Sequence, residues 1–286
     1  MHTHDLAYAI LEHMKRARSK GFTIVEVLIV LAVTGGLFVS AALLISGRQN
    51  QTQFDQSIRQ AEAQIQQTIN EVSTGFYPST NNFRCTAPVG ATQPTISTLA
   101  PNQQGTNSGC LFLGKAMQFK VQGTDPEQAA IFTIVGLQKK PSSTLEVTGL
   151  KEAGAMPIGN TVPGAIDTKR LQYGLTTAWA RYNGTPIGAV AFVSSLAHYG
   201  ADGIISGSQQ AQMVPIPNLA LNQTVTTAAT TIRTELRKID APTDLPYGVQ
   251  ICYASGGTNQ SGLITIGSNG RQLNVTLQIK GNKTCA

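Results

Sequence analysis

Charge is scarce in this chain. Only 13% of its 286 residues are Asp, Glu, Lys or Arg, about half of the share usual in soluble domains. With 41% apolar residues beside it, that scarcity excludes a charge-driven disordered chain and is unlike a charge-rich soluble enzyme. Thr, Ser, Asn and Gln fill the gap, with 28 Gly and 13 Pro. Such a composition suits a β-rich domain working outside the cytoplasm. Histidine is nearly missing as well. Beyond residue 21 only His198 remains, close after Ser194 and Ser195. A Ser–His–Asp site needs a positioned base and an oxyanion hole, and no nucleophile-elbow motif is present. There is no P-loop, no Gly-rich dinucleotide fingerprint after a strand and no HExxH pair. The sequence reads as a non-enzyme with no cofactor.

Cysteine is sparse too: Cys85, Cys110, Cys252 and Cys285 are all there are. None forms CxxC and no nearby His completes a zinc set. On an exported chain four well-spaced cysteines read as two disulfides. Three pairings exist; joining sequence neighbours favours Cys85–Cys110 and Cys252–Cys285. Free buried thiols are the alternative.

What charge exists is unevenly placed. The chain has 21 basic and 15 acidic residues, a net +6. Lys15, Arg16, Arg18 and Lys20 crowd the start against Asp5 and Glu12. Setting residues 1–21 aside leaves 17 basic and 13 acidic residues, or +4. So mild an excess does not by itself imply nucleic-acid binding.

Gly21 follows the basic run, and Phe22–Ile45 is then almost wholly apolar. As a helix this run spans roughly 36 Å, enough for a hydrocarbon core of about 30 Å with some tilt. The basic flank keeps residues 1–21 in the cytoplasm and places residues beyond about 46 outside. Glu26 breaks the apolar run. A carboxylate in a membrane helix costs a few kcal/mol, so it has a partner or a task. If the chain is cut after Gly21, Phe22 becomes a new N-terminal amine one helical turn from Glu26. The carboxylate also comes within reach of the amine of a staggered neighbouring subunit, a charge pair that sets the register of a helical polymer. Two blander readings compete. An ordinary secretory signal cut near Ala41 has too long an apolar run and no place for Glu26. A simple signal anchor leaves Gly21 and Glu26 unexplained.

The stretch Lys20-Gly21-Phe22-Thr23-Ile24-Val25-Glu26-Val27-Leu28 resembles the type IV pilin family, including the pseudopilins of type II secretion. The resemblance covers about residues 15–75. It implies that a prepilin peptidase cuts after Gly21 and methylates Phe22, and that Glu26 is the assembly carboxylate. It implies other pilin subunits and a membrane assembly platform as partners. It also implies a single-pass membrane protein that enters an extracellular filament. The expected task is a structural subunit, major or minor, of a type IV pilus serving adhesion, motility or DNA uptake. A secretion pseudopilin and a DNA-binding minor pilin are the alternatives.

The helix continues past the membrane. Phe54, Ile58, Ala61, Ile65, Ile69 and Val72 fall on one helical stripe, which a β-sheet must cover. Residues 22–74 then form one helix of roughly 80 Å, with 22–45 as its membrane and assembly part and 46–74 amphipathic. Gly35–Gly36 is its weak point, and Gly75 and Pro78 end it. Residues 1–21 are a leader and 75–286 a β-rich head. The expected fold class is α+β, the long helix packed on a mainly antiparallel sheet. Residues 75–109 read as a loop-rich connection. Strand-like runs follow at 111–113, 116–121, 130–137, 145–150, 171–179, 187–194, 249–254, 262–267 and 273–279. Asn269-Gly270 signals a hairpin between the last two. Pro215 and Pro217 mark a loop within the uncharged stretch 203–232, where a two-part head would divide, and residues 225–239 read as a short helix.

Two further candidates are weaker. Gly200-Ala201-Asp202-Gly203 is similar to a stretch near a calcium loop of the major secretion pseudopilins. Calcium needs about six to eight oxygens, and Asp202 is followed by a long uncharged segment, so a plain turn is the stronger reading. Arg233, Arg237 and Lys238, with Arg271, Lys280 and Lys283, form a candidate DNA-binding patch; scattered solvated cations are the stronger reading.

Overall fold

A computed structural model describes residues 22–75, 83–88, 90–98, 110–143, 145–159, 162, 166–194, 211–240, 247–256, 259–268, 273–281 and 285. The chain forms two compact units, Met1–Gln49 and Asn50–Ala286. Helix α1, Ile24–Ser73, runs through the boundary between them. No proline interrupts it, and Gly35 and Gly36 are both regular helix. Its two hydroxyls in this stretch are satisfied within the helix: Thr34 Oγ1 donates to Val30 O at 2.7 Å and Ser40 Oγ to Gly36 O at 2.9 Å. Such back-bonding removes the cost of a bare hydroxyl in an apolar medium. Gly75, at φ 65°, ends the helix with its N–H on Val72 O at 3.1 Å, a left-handed position that suits glycine.

In the second unit every strand pair is antiparallel. β1 (Phe83–Thr86) and β2 (Thr95–Thr98) form a small ribbon. A six-stranded sheet holds β3 (Cys110–Gln118), β4 (Gln128–Leu137), β5 (Met156–Pro157), β6 (Ile166–Arg170), β9 (Ala189–Ser194) and β10 (Ala211–Ile216). Its order is β10-β9-β3-β4-β5, with β6 also on β4. A five-stranded sheet has β7 (Leu175–Tyr182), β8 (Thr185–Pro186), β11 (Val249–Ser255), β12 (Ser261–Ser268) and β13 (Leu273–Lys280) in the order β13-β12-β11-β7-β8. Helix α2 is Val225–Leu236. This is an α+β fold of pilin-like layout.

The core follows from strand alternation. Met117, Ile131 and Phe192 from the first sheet and Ile251, Ile264 and Ile266 from the second share one cluster with all six stripe residues of α1. None of those six is more than 6% exposed. Side chains on the other face of the first sheet, among them Ala116, Phe132 and Val193, pack with Ala228, Ile232 and Leu236 of α2. The helix lies very close to β12: a Cβ on Gly262 would sit 1.7 Å from Ile58 Cδ1. Burying each large aliphatic side chain stabilises by about 1.5–3 kcal/mol.

The structure corrects several expectations. Residues 111–118 are one strand, kinked by a bulge at Phe112/Gly114. Gly114 stands at φ 151°, where a Cβ would meet Phe192 O at 2.0 Å. Residues 145–150 are not a strand: Leu145 is 65% exposed, one bridge joins Lys139 and Glu146, and Leu150 N–H donates to Asp240 O at 3.0 Å. A short apolar run alone does not distinguish a strand from a packed turn. Conversely, 211–216 is a strand where a loop was expected. Pro215 is accommodated because β10 is an edge strand. β6, whose residues are Ile166-Asp-Thr-Lys-Arg170, carries too much charge to look like a strand, and it too pairs only on one side. The connection 75–109 contains the β1–β2 ribbon. Of the two arrangements left open for the head, one part or two, the unit Asn50–Ala286 corresponds to the first.

Candidate functional site: the N-terminal segment and the stapled head

Thr23 starts helix α1. Its carbonyl accepts from Val27 N–H at 3.1 Å and its Oγ1 accepts from Glu26 N–H at 3.2 Å. Thr23 is therefore the N-cap and Glu26 the third helical residue, the Thr-x-x-Glu arrangement of a capping box. The sequence expectations passed over Thr23, although that spacing ahead of an apolar run is its signal. Phe22 lies just before the helix and is 75% exposed. Glu26 stands four residues on, in the first turn, where free N–H groups and the helix dipole favour a carboxylate. Among the described residues its carboxylate has no ion-pair partner. Beyond it, Ile24–Ala42 is long and apolar enough to cross a membrane, and Leu28, Leu31 and Phe38 all face outward.

Two disulfides fasten the head. Cys85 is bonded to Cys110 and Cys252 to Cys285, each pair with Cα atoms 5.9 Å apart. The first joins the β1–β2 ribbon to β3. The second ties the chain end to β11, beside Leu263 and Trp179. Buried charge is matched. Lys115 on β3 pairs with Glu71 on α1. Glu127 takes Lys120 at 2.6 Å and the Thr177 N–H at 2.7 Å, so one carboxylate links the two sheets. Burial, reinforced by the Glu127 charge, pushes the Tyr253 hydroxyl well above its ordinary value. Glu152 is held down to about 2 by its hydrogen bond from Lys140 and two more from Thr148.

The three basic candidates at the end of α2 are brought together but not left open. Arg237 hydrogen-bonds Gln93; burial, then the charge of Arg233, lower its pKa. Lys238 pairs with Glu235 at 2.7 Å. Burial opposes ionisation of Glu235, yet hydrogen bonds from Lys238 and Asn218 leave its pKa lowered. Arg233 is half-buried in the last turn. Gly21, His198, Asp202, Arg271, Lys283 and the Asn269-Gly270 turn lie outside the described residues. Among the described residues no three His, Cys, Asp or Glu side chains gather as a metal site.

The prokaryotic N-terminal methylation motif matches residues 16–42. Comparison with curated proteins and with solved structures returns no match. The matched segment holds the basic flank, Gly21, Phe22, Glu26 and the apolar start of α1. A motif of this kind implies cleavage by a prepilin peptidase and assembly with other pilins. The apolar helix that follows it fits membrane anchoring. With the exposed apolar helix behind it and an antiparallel head beyond, this N-terminal motif is similar to that of type IV pilins and pseudopilins.

Proposed function

We propose that this chain is a structural subunit of a type IV pilus. It is held in the membrane by Ile24–Ala42 until assembly, with its head outside the cell. Cleavage after Gly21 frees the Phe22 amine, which is then methylated. Glu26 pairs with the Phe22 amine of a neighbouring subunit and sets the stagger between them. Away from water the two charges attract each other more strongly, and either one left there without its partner is costly. The polymer needs no catalysis by the subunit, no metal and no cofactor. Adhesion, motility and DNA uptake are tasks the filament serves through its heads.

One observation carries the reading. The motif over residues 16–42 leads into a helix whose large apolar side chains are all exposed up to Val39, so this surface waits for lipid or for other subunits. A secretion pseudopilin would use the same N-terminal chemistry, and the destination of the polymer separates the two. The protein composition of filaments sheared from the cell surface is the test. This chain as a dominant band identifies a major subunit, and a trace amount a minor one. Its absence from the sheared fraction, with mature protein retained at the envelope, would replace the pilus by the secretion reading.

A further inference from the structure

We propose that the outward face of the five-stranded sheet, along the line Arg181–Gln250–Thr265–Thr276, binds an acidic polysaccharide, a chain of sugars that carry carboxylates. The inference rests on the filament reading only for where the site is displayed; the binding itself is a property of the single chain.

Strand alternation builds the face. Ala180, Val249, Ile251, Ile264 and Ile266 lie in the core, and Val275 and Leu277 pack against it. The residues between them therefore point outward. Register sets Arg181 opposite Gln250, Gln250 opposite Thr265 and Thr265 opposite Thr276, a row across four strands and about 14 Å. Arg181, Gln250 and Thr276 are exposed and Thr265 is half-buried. On one side of the row, Gly248 and Gly267 leave the two central strands without side chains. On the other side lies the Cys252–Cys285 disulfide with Leu263, and Trp179 packs against them. Arg181 stands over the Trp179 ring, its Cζ 4.6 Å from the centroid. This cation–π contact orders the guanidinium before any ligand arrives, which lowers the entropy cost of binding.

The chemistry selects the partner. Arg181 and Lys280 are the only charged residues in the five strands, and segments 172–194 and 245–286 contain no Asp or Glu at all. Solvated surfaces ordinarily intersperse both signs, so this face is complementary to an anion. The guanidinium fork matches a carboxylate through two parallel hydrogen bonds. The Gln250 amide and the two Thr hydroxyls each donate and accept, the dual character that sugar hydroxyls need. Thr276 Oγ1 donates to Thr265 O at 3.4 Å. Among the described residues no large apolar side chain is exposed on this face, so the anchor that a protein partner would need is missing. Nucleic acid asks for several phosphate contacts and for aromatic rings on which bases stack, and here Arg181 covers the Trp179 ring. A single site of this kind is weak. Repeated along a filament it gains about a hundredfold or more by multivalency.

The test uses the full chain in detergent, where Trp179, the one tryptophan of the sequence, reports on the row beside it. Titration with oligogalacturonate is expected to change its fluorescence saturably, and added salt to weaken the binding. Equilibrium dialysis with labelled oligogalacturonate measures the variants without relying on that signal. Arg181→Ala is expected to bind about tenfold or more weaker. Arg181→Lys should stay weak, because an ammonium lacks the fork. Gln250→Ala with Thr276→Val is expected to lose affinity several-fold. Lys169→Ala removes a cation from the other sheet; it serves as the control and binds as the parent does. Binding that Arg181→Ala retains in full would overturn the site. No binding by the parent, or equal binding of an uncharged malto-oligosaccharide, would overturn the ligand class. A preference for an oligonucleotide of the same charge would replace the polysaccharide by nucleic acid. Each of these results leaves the filament reading standing, since sheared filaments test that separately. Oligogalacturonate binding by a chain that never enters sheared filaments would sustain the site and remove the filament reading.

Discussion

Helix α1 contains two apolar regions built on different plans. Ile24–Ala42 is apolar on all sides, and its large side chains are exposed through Val39. From Asn50 to Ser73 the apolar residues keep a single stripe, and Phe54, Ile58, Ala61, Ile65, Ile69 and Val72 are all buried in the head. A striped helix needs a partner on one side only, and the chain supplies that partner itself. A helix apolar all round needs an apolar surrounding in every direction, which a head of this size does not provide. The one carboxylate in the first region, Glu26, stands in its first turn, four residues from the N-terminus that the proposed cleavage would create. In the second region Glu71 already has a partner in the head, Lys115.

That contrast breaks most sharply at Glu26. Glu26→Ala is expected to insert, to be cleaved and to fold its head, and then to be nearly missing from sheared filaments. Normal incorporation would rule out the charge-pairing role. The converse change is Ile58→Ala. It should leave cleavage untouched and destabilise the head by about 2–5 kcal/mol, the usual cost of emptying a packed aliphatic site; a denaturant midpoint equal to that of the parent would contradict the core assignment. Removing one disulfide, by Cys252→Ala with Cys285→Ala, is expected to cost about 3 kcal/mol for a loop of this size. Peptide mapping without reductant checks the linkage, and peptides joining Cys85 or Cys110 to either of the others would contradict the pairing.

The smallest effect is electrostatic. Glu152 has its pKa held down to about 2 from an ordinary 4.5. Its contribution is therefore present above about pH 4.5 and fades as pH falls toward 2. Its side chain is 37% exposed, so after solvent screening the contribution is at most about 1 kcal/mol. Glu152→Gln should lower the melting temperature slightly at pH 7 and not at pH 2. An equal difference at both values would assign the effect to something other than the ionised carboxylate.

How legible the molecule is in its sequence depends on where each partner comes from. The α1 stripe, the α2 helix and β11–β13 were legible because each repeats a local period. Gly75 was legible because a helix end needs its backbone freedom. β6 and β10 were not, since an edge strand is paired on one side and tolerates Asp167, Lys169 or Pro215. Glu127 was not either: its bond to Thr177 joins residues 50 apart, and nothing near either residue announces the other. The engagement of Arg237 was not legible because Gln93, 144 residues away, is invisible locally. Thr23 was within reach of local reading, since its cap lies three residues from Glu26, but the carboxylate in an apolar run is the louder signal.

The central claim is that the first region of α1 is an assembly element released by cleavage. The most direct measurement is the intact N-terminal peptide of the mature protein by mass spectrometry. The account predicts a peptide beginning at Phe22 with one added methyl group on its amine. A mature chain that keeps Met1, or one that begins at Ala42, would contradict it.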